Sequence, residues 1–597
     1  MKSNKENKAS ENPETGKSKA PFAGGKGMFG RGKGSRSRRA LLAFTGLVLL
    51  LVCLNIISTR FFSRLDLTED KRYSISPSTK EMLETLPDMV YVEVYLEGDL
   101  PAGLSGFRRL HNSIRETLEE FRAYGGDNLQ FRFIEPGAGK NPKQRNEIFD
   151  QLARRGLQPT NVHANDGGKK VEKILFPGAI ISYGGQETPV LLLKGNQGAS
   201  PEQRLNQSVE GVEYELASAI LRLTRKEKKR IGVIFGHGEL NPYEFYDMGT
   251  TLKESYDLEK VDLPNKLSLE GYDAIIVAKP DSGFSEPDKY KIDQFIVRGG
   301  KALFFIDALN ADLDSVGTDG ALALPYNLNL DDLFFRYGIR LNKDLVMSVD
   351  CGFIPMVVGI VGDKPQTELM PWRLYPLINN FGKHPAVKNL DAVYMRFAGS
   401  IDTVSTAGIT KTSLLMTGKY SRIMASPARL DFNEARTEPK PELYRRSNIP
   451  VAYLLEGSFR SLYENRLAPH SEKTFKFVAQ DKPGKVLVVS DGDFVRNDIN
   501  RRTGQNYPLG FDRFAQVQFA NKDFVLNTLA YMLDADGLIL SKAKSVILRP
   551  LDRPRLQEER LKWQVINLAA PPIVVILAGL LMVWLRKRRY TRFKIKA

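Results

Sequence analysis

The sequence predicts a membrane-anchored α/β protein, and three observations predict it. Two uncharged apolar runs lie near the ends of the 597-residue chain. Its excess positive charge sits outside those runs. The long middle alternates short Val- and Ile-rich segments with segments whose apolar residues recur at helical spacing, the pattern of sheets covered by helices.

The ends come first. Residues 1–39 carry eleven Lys/Arg against three Glu, and residues 586–597 carry seven and no acid, which accounts for nearly all of the formal net charge of +16. The part between has no excess charge with which to hold a polyanion, so nucleic acid is not an expected partner. The 1–39 tail has little to bury and is expected to be disordered. Its "GMFGRGKGS" imitates a phosphate-binding loop, but Gly34 stands where the Ser/Thr hydroxyl is needed and no strand precedes it, so ATP hydrolysis is not expected.

Residues 40–58, "ALLAFTGLVLLLVCLNIIS", and 566–585, "INLAAPPIVVILAGLLMVWL", are each long enough for a transmembrane helix. The first lacks a small-x-small cleavage site at "STRFF" and reads as an anchor rather than a signal peptide. Two spans put the termini on one side, and the dense basic flanks put that side in the cytoplasm. The middle of the chain is then exported. Cys53 lies in the first run and Cys351 in the exported part, so no intramolecular disulfide is expected.

Residues 59–230 form the first exported domain. Ser76 or Ser78 caps a short helix, followed by a strand at 89–96, a helix at 107–124 and a strand at 128–136. A polar helix near 142–156, a hairpin from "KILFPGAIISY" through "GGQE" to "TPVLLLKG", and a helix at 209–229 complete a βαβαββα order, which matches a thioredoxin-like layout. It has no CxxC, so a redox role is excluded.

Residues 231–540 form the second domain. "IGVIFG", "LEKVDL", "YDAIIVA" and "KALFFIDAL" alternate with helices near 243–254 and 287–300, which predicts a doubly wound parallel sheet. An insertion of mixed strands runs from about 310 to 480. "KVLVVSDGDFVRND" returns to the sheet, and the helix "KDFVLNTLAYML" closes the domain. Residues 541–565 are a linker or juxtamembrane helix leading to the second span.

Ligands in such sheets collect at the carboxyl ends of the strands, an edge expected to present His237, Glu239, Asp307, Asp491 and Asp493. In "GHGEL" the histidine and glutamate either shape a tight turn between two glycines or take part in ligand binding. Asp491 and Asp493 are either cation ligands or caps of the following loop. No other histidine (His111, His163, His384, His470) has metal-ligand spacing with another, so no metal and no cofactor is expected.

The element order resembles the class I glutamine amidotransferase-like fold. In that family the elbow after the "GGK" strand carries a cysteine nucleophile. Here "FFIDALN" has Asp307 at that place, which removes the thiol chemistry. The blocks "LDLTEDKRYSISPSTKEML", "VYLEGDLPAG", "FRRLHNSIRETLEEFRAYGGDN", the "GHGEL" segment and the terminal "RKRRY" resemble the gliding-motility ABC transporter auxiliary family GldG. That resemblance implies a two-span subunit of the bacterial inner membrane with a periplasmic body, working with a separate ABC permease and a separate ATPase. It implies no catalytic residues. The alternative is a membrane-tethered hydrolase or amidotransferase-like enzyme that uses the His237/Asp307 edge.

Overall fold

The computed structural model describes residues 42, 44–53, 74–100, 104–166, 169–193, 200–225, 227–317, 319–362, 364–467, 469, 476–500, 502–534, 537–543 and 558–591. The 1–39 tail, its Gly27–Gly34 loop, His470, most of the 541–565 linker and the end of the basic carboxyl tail lie outside them. Two compact units are present, 1–66 and 67–597. Of the first, an apolar helix is described at Phe44–Cys53.

The second unit begins with α1 (Pro77–Glu84). Ser76 is the cap: its Oγ accepts from the Thr79 amide at 3.2 Å, and Pro77 occupies the first helical position, where a missing N–H costs nothing. Strand β1 (Val90–Val94) pairs in parallel with β2 (Leu129–Phe133) across the crossover helix α2 (Ser105–Gly125). Helix α3 (Pro142–Arg154) follows, starting at the Asn141 cap. Two hairpins come next. β3 (Thr160–Asp166) pairs with β4 (Lys169–Leu175), and β5 (Gly178–Tyr183) with β6 (Gln186–Leu191). The sequence reading joins "KILF" to "GAIISY" and passes over the first hairpin. The segment 160–175 is mostly polar and gives no period-2 signal, and Pro177, without an N–H, separates the two strands. The sheet order is β2-β1-β5-β6, with β5 antiparallel to β1. One core holds it, in which Val90, Val92 and Val94 pack with Leu110, Ile114, Leu118 and Phe121 of α2 and with Leu216 and Ile220 of α4 (Pro201–Thr224).

The larger sheet is built from β7 (Arg230–Phe235), β8 (Asp257–Asp262), β9 (Ala274–Ala278) and β10 (Lys301–Phe305), with helices α5 (Tyr246–Ser255) and α6 (Glu286–Val297) as crossovers. After β10 the chain makes its long excursion. This includes a hairpin of β11 (Cys351–Val361) and β12 (Lys364–Ile378), and it supplies β13 (Asn380–Phe381), β14 (Ile409–Met416) and β15 (Pro450–Gly457) to the same sheet. Strand β16 (Gly484–Val489) then inserts beside β10, and α7 (Asn521–Leu533) follows. The order is β13-β14-β15-β16-β10-β9-β7-β8, parallel from β8 to β16 and antiparallel from β16 outward.

Alternation along the central strands divides two cores. Ile276, Leu303, Phe305, Leu487 and Val489 face α5 and α7, whereas Ile275, Val277, Phe304, Val486 and Val488 face α6. Both faces are covered, which is why these strands read as unbroken apolar runs. From Asp288 onward helix α6 is buried on every side, Asp288, Lys289, Lys291, Asp293 and Gln294 included. The excursion covers its outer face and pairs its polar groups: Asp293 accepts from Tyr337 Oη at 2.9 Å and from Ser461 Oγ at 2.6 Å. The last described element is α8 (Arg560–Thr591), the one described helix long and apolar enough to cross a membrane.

Candidate functional site

The carboxyl ends of β7, β9, β10 and β16 deliver His237, Lys279, Asp307 and Asp491 to one edge of the sheet. They form two groups. No hydrogen bond or ion pair among the described residues joins His237 or Glu239 to the three aspartates.

In the first group, Gly236 (φ 125°) and Gly238 (φ 77°) turn the chain so that His237 points inward. The histidine is buried, 4% exposed, and stacks on Phe284 with ring centroids 3.9 Å apart. Its Nε2 lies 3.2 Å from Asp288 Oδ2, and its Nδ1 lies 3.5 Å from Glu239 Oε1, an ion pair rather than a good hydrogen bond. Glu239 Oε2 accepts from the His237 amide at 2.7 Å. Burial opposes the charged imidazole, but Glu239 and Asp288 outweigh it and raise the pKa above the ordinary histidine value. Burial also opposes ionised Asp288, and there Lys291, Ser285 and His237 win and lower its pKa. Both ring nitrogens are turned toward carboxylates, so neither is free to take a proton from a substrate. Of the two readings of "GHGEL", a turn or a ligand site, the buried side chains favour the turn.

In the second group, oxygens of Asp307, Asp491 and Asp493 all lie within 4.8 Å of one another. Lys279 Nζ enters the cluster 2.6 Å from Asp307 Oδ2 and 2.8 Å from Asp493 Oδ2. The Gly492 amide donates to Asp307 Oδ1 at 2.6 Å, and the Arg396 amide donates to Asp491 Oδ2 at 2.7 Å. Arg396 itself is fixed by two 2.9 Å hydrogen bonds to Asp498. Arg496 bridges Asp493 and Glu244 at 3.1 Å each. Asp491 Oδ1 is buried without a partner.

The electrostatics follow from this crowding. Burial and the neighbouring charges of Asp307 and Asp493 push Asp491 well above the carboxylate range. Burial likewise raises Asp307, against the pull of Lys279. Asp493 goes the other way: burial opposes its charge, but Lys279, Arg496 and Arg396 lower its pKa. Burial would neutralise Lys279, yet Asp307 and Asp493 keep it firmly charged. The arrangement can hold a cation, and the ammonium already does so.

Sequence reasoning missed Lys279, Arg396 and Asp288. Lys279 had a signal, since it follows the buried "AIIVA" strand as Asp307 follows "ALFF". Arg396 and Asp288 had none, because each comes from a segment far away in the chain. Cys351 is on β11, and burial pushes its thiol up to about 11. A cleft of about 600 Å³ opens at the opposite, amino-terminal ends of the strands, lined by Lys229, Asp273, Lys301 and Lys485 among others.

Comparison with known proteins adds the family. A relative from Borreliella burgdorferi, described as an uncharacterized protein, is 22% identical over 433 residues, 71% of this chain and 78% of its own. Among solved structures, the mmIFT52 N-terminal domain aligns at 11% identity over 51% of this chain and 97% of its own with a TM-score of 0.29. A ThuA-like protein from Parabacteroides merdae aligns at 11% identity over 55% and 94% with a TM-score of 0.23. Neither structural likeness is close enough to carry an argument. Residues 69–182 match a domain of unknown function. Residues 228–528, half of the chain and the whole of the sheet that carries the candidate site, match the model of an ABC-type uncharacterized transport system, and the chain belongs to that family of ABC-transport auxiliary proteins.

Proposed function

We propose that this auxiliary protein is a non-enzymatic, membrane-anchored subunit that couples an exported body to an ABC permease and a separate ATPase. The observation that carries the reading is the closure of the strand edge. His237 is spent on Asp288 and Glu239, Asp307 is spent on Lys279, and the buried Cys351 thiol is far from ionised at neutral pH. A hydrolase needs a nucleophile beside a free base, and these side chains offer neither.

In this reading residues 59–230 are a thioredoxin-like spacing or binding module and 231–540 an amidotransferase-like module whose catalytic centre is lost. The two apolar runs, 40–58 and 566–585, anchor it in the bacterial inner membrane with a periplasmic body. The GldG resemblance supports a transporter that serves gliding motility or an associated secretion machinery. The test is purification from mild detergent with mass spectrometry of what comes with it. A permease and a Walker-type ATPase in stoichiometric amounts support the proposal. A monodisperse protein without either, together with glutamine or ester hydrolysis abolished by Asp307→Ala, overturns it.

A further inference from the structure

We propose that Asp307, Asp491 and Asp493 form a cation site whose resident cation is the Lys279 ammonium, and that the same three carboxylates bind a calcium-class divalent cation when the ammonium is removed. Three features of the cluster lead there.

The first is where the groups stand. Asp307 follows β10, and Asp491 and Asp493 follow β16, so two adjacent parallel strands aim three carboxylates at one point. The second is an unfinished coordination. Lys279 reaches Asp307 and Asp493, but Asp491 Oδ1 is buried with no partner at all. A buried carboxylate oxygen without a donor is costly, and a central ion serving all three carboxylates would satisfy it. The third is the backbone at Lys279. Its φ of 53° is one that residues other than glycine seldom adopt, and it persists where the surroundings over-determine it. Here the chain accepts that conformation at the end of β9, and the side chain delivers its ammonium between two aspartates.

The fixed setting of the ligands favours a tolerant ion. Three oxygens within 4.8 Å of one another, held by buried strand ends, can meet Ca²⁺, which takes ligands at about 2.3–2.6 Å in flexible geometry. Mg²⁺ requires near-ideal octahedral ligands at about 2.0–2.1 Å and gives up water reluctantly. The Gly492 amide closes one side: a Cβ at Gly492 would lie 2.6 Å from Lys279 Cγ and 3.0 Å from Asp307 Oδ2, so nothing larger than glycine leaves room for an occupant. Lys279 is 20% exposed along its side chain, which gives an exit route to water that Asp307 and Asp493 lack.

The experiment is a thermal melt of the full-length protein in detergent, with EGTA or with millimolar Ca²⁺ or Mg²⁺, for the wild type, Lys279→Met and Lys279→Met/Asp491→Asn. Isothermal titration with Ca²⁺ accompanies it. The wild type is expected to melt at the same temperature with EGTA and with Ca²⁺. Lys279→Met is expected to melt lower in EGTA, to recover several degrees in Ca²⁺ and less in Mg²⁺, and to bind one Ca²⁺ at least tenfold more tightly than the wild type. The added Asp491→Asn should abolish that response. If Lys279→Met is folded by circular dichroism and indifferent to Ca²⁺, or if the double variant responds equally, the proposal fails. Should Lys279→Met fold only in Ca²⁺, that dependence supports it. Should it fold in neither, Lys279→Gln takes its place, and absence of Ca²⁺ binding there overturns the proposal.

Discussion

Lys279 Nζ lies 2.6 Å from Asp307 Oδ2, an ion pair that ties the end of β9 to the end of its neighbour β10. Asp307 is 5% exposed, so its charge depends on the lysine rather than on water. Removing the lysine leaves Asp307 buried and uncompensated, a loss of about 3–5 kcal/mol, whereas removing Asp307 leaves the lysine paired with Asp493 at 2.8 Å. Lys279→Met is therefore expected to destabilise the protein strongly and Asp307→Asn less. Denaturant unfolding of the two variants checks this. Equal losses would mean that Asp493 does not hold the lysine.

His237→Ala removes a ring stacked on Phe284 and strips a partner from buried Asp288. A loss of about 1–3 kcal/mol is expected, from the lost charge-assisted hydrogen bond, although Asp288 keeps Ser285 and Lys291. Gly238→Val acts through the backbone. At φ 77° a β-branched residue is strained by about 1–3 kcal/mol, and its Cβ would meet Asp281 Oδ1 at 1.6 Å unless that side chain turns away from Ser282. Both variants should melt lower than the wild type while still copurifying with the same membrane proteins. Loss of partners by His237→Ala at an unchanged melting temperature would make this turn a working site.

The pH profile follows from the same group. His237 is raised in the folded state, so its contribution is fully present below the unfolded value near 6.5 and is lost as pH rises through the folded value. Asp288 is lowered, so its contribution is present above the usual aspartate value and is lost as pH falls through the folded one. Glu239, Asp288 and, behind Asp288, Lys291 are the charges that face the ring. The difference in melting temperature between the wild type and His237→Gln should thus be larger at mildly acidic pH than at mildly alkaline pH. The opposite order would show that the ring is neutral when folded.

Much of this was legible in the sequence, for physical reasons that also mark where the reading stopped. The strands ending at Phe235, Ala278, Phe305 and Val489 were readable because parallel strands buried on both faces need unbroken apolar runs. The hairpin Thr160–Leu175 was not, since its residues are mostly polar. At the site, aspartates that directly follow strands announced themselves. The Arg396–Asp491 and His237–Asp288 contacts did not, because they join positions 95 and 51 residues apart that only the tertiary fold brings together.

Cys351 gives a chemical test of the non-enzymatic reading. With its thiol pushed up to about 11, only about one in ten thousand is thiolate at pH 7. Folded protein should react with a maleimide at Cys351 far more slowly than denaturant-unfolded protein, as read by mass spectrometry of the labelled peptide. Rapid labelling at neutral pH would point to an activated thiol.

Along α8 the apolar side chains face outward, with Leu568, Val575 and Met582 all more than two-thirds exposed, an apolar surface of the kind that lipid or a partner covers. At its far end Arg588 packs over the Trp584 ring at 4.1 Å, an aromatic and a basic anchor at one level. The "RKRR" run there and the basic tail before residue 40 both favour the cytoplasm, and two spans require the termini to share a side. An alkaline phosphatase fused after Gly300 should accordingly be active, and one fused after Ala597 inactive. Deleting 558–597 should leave the protein held by the amino-terminal run alone, so it should still sediment with membranes. Release of that deletion variant into the periplasmic fraction would mean that residues 40–58 are cleaved or do not span, and the two-span topology would have to be abandoned.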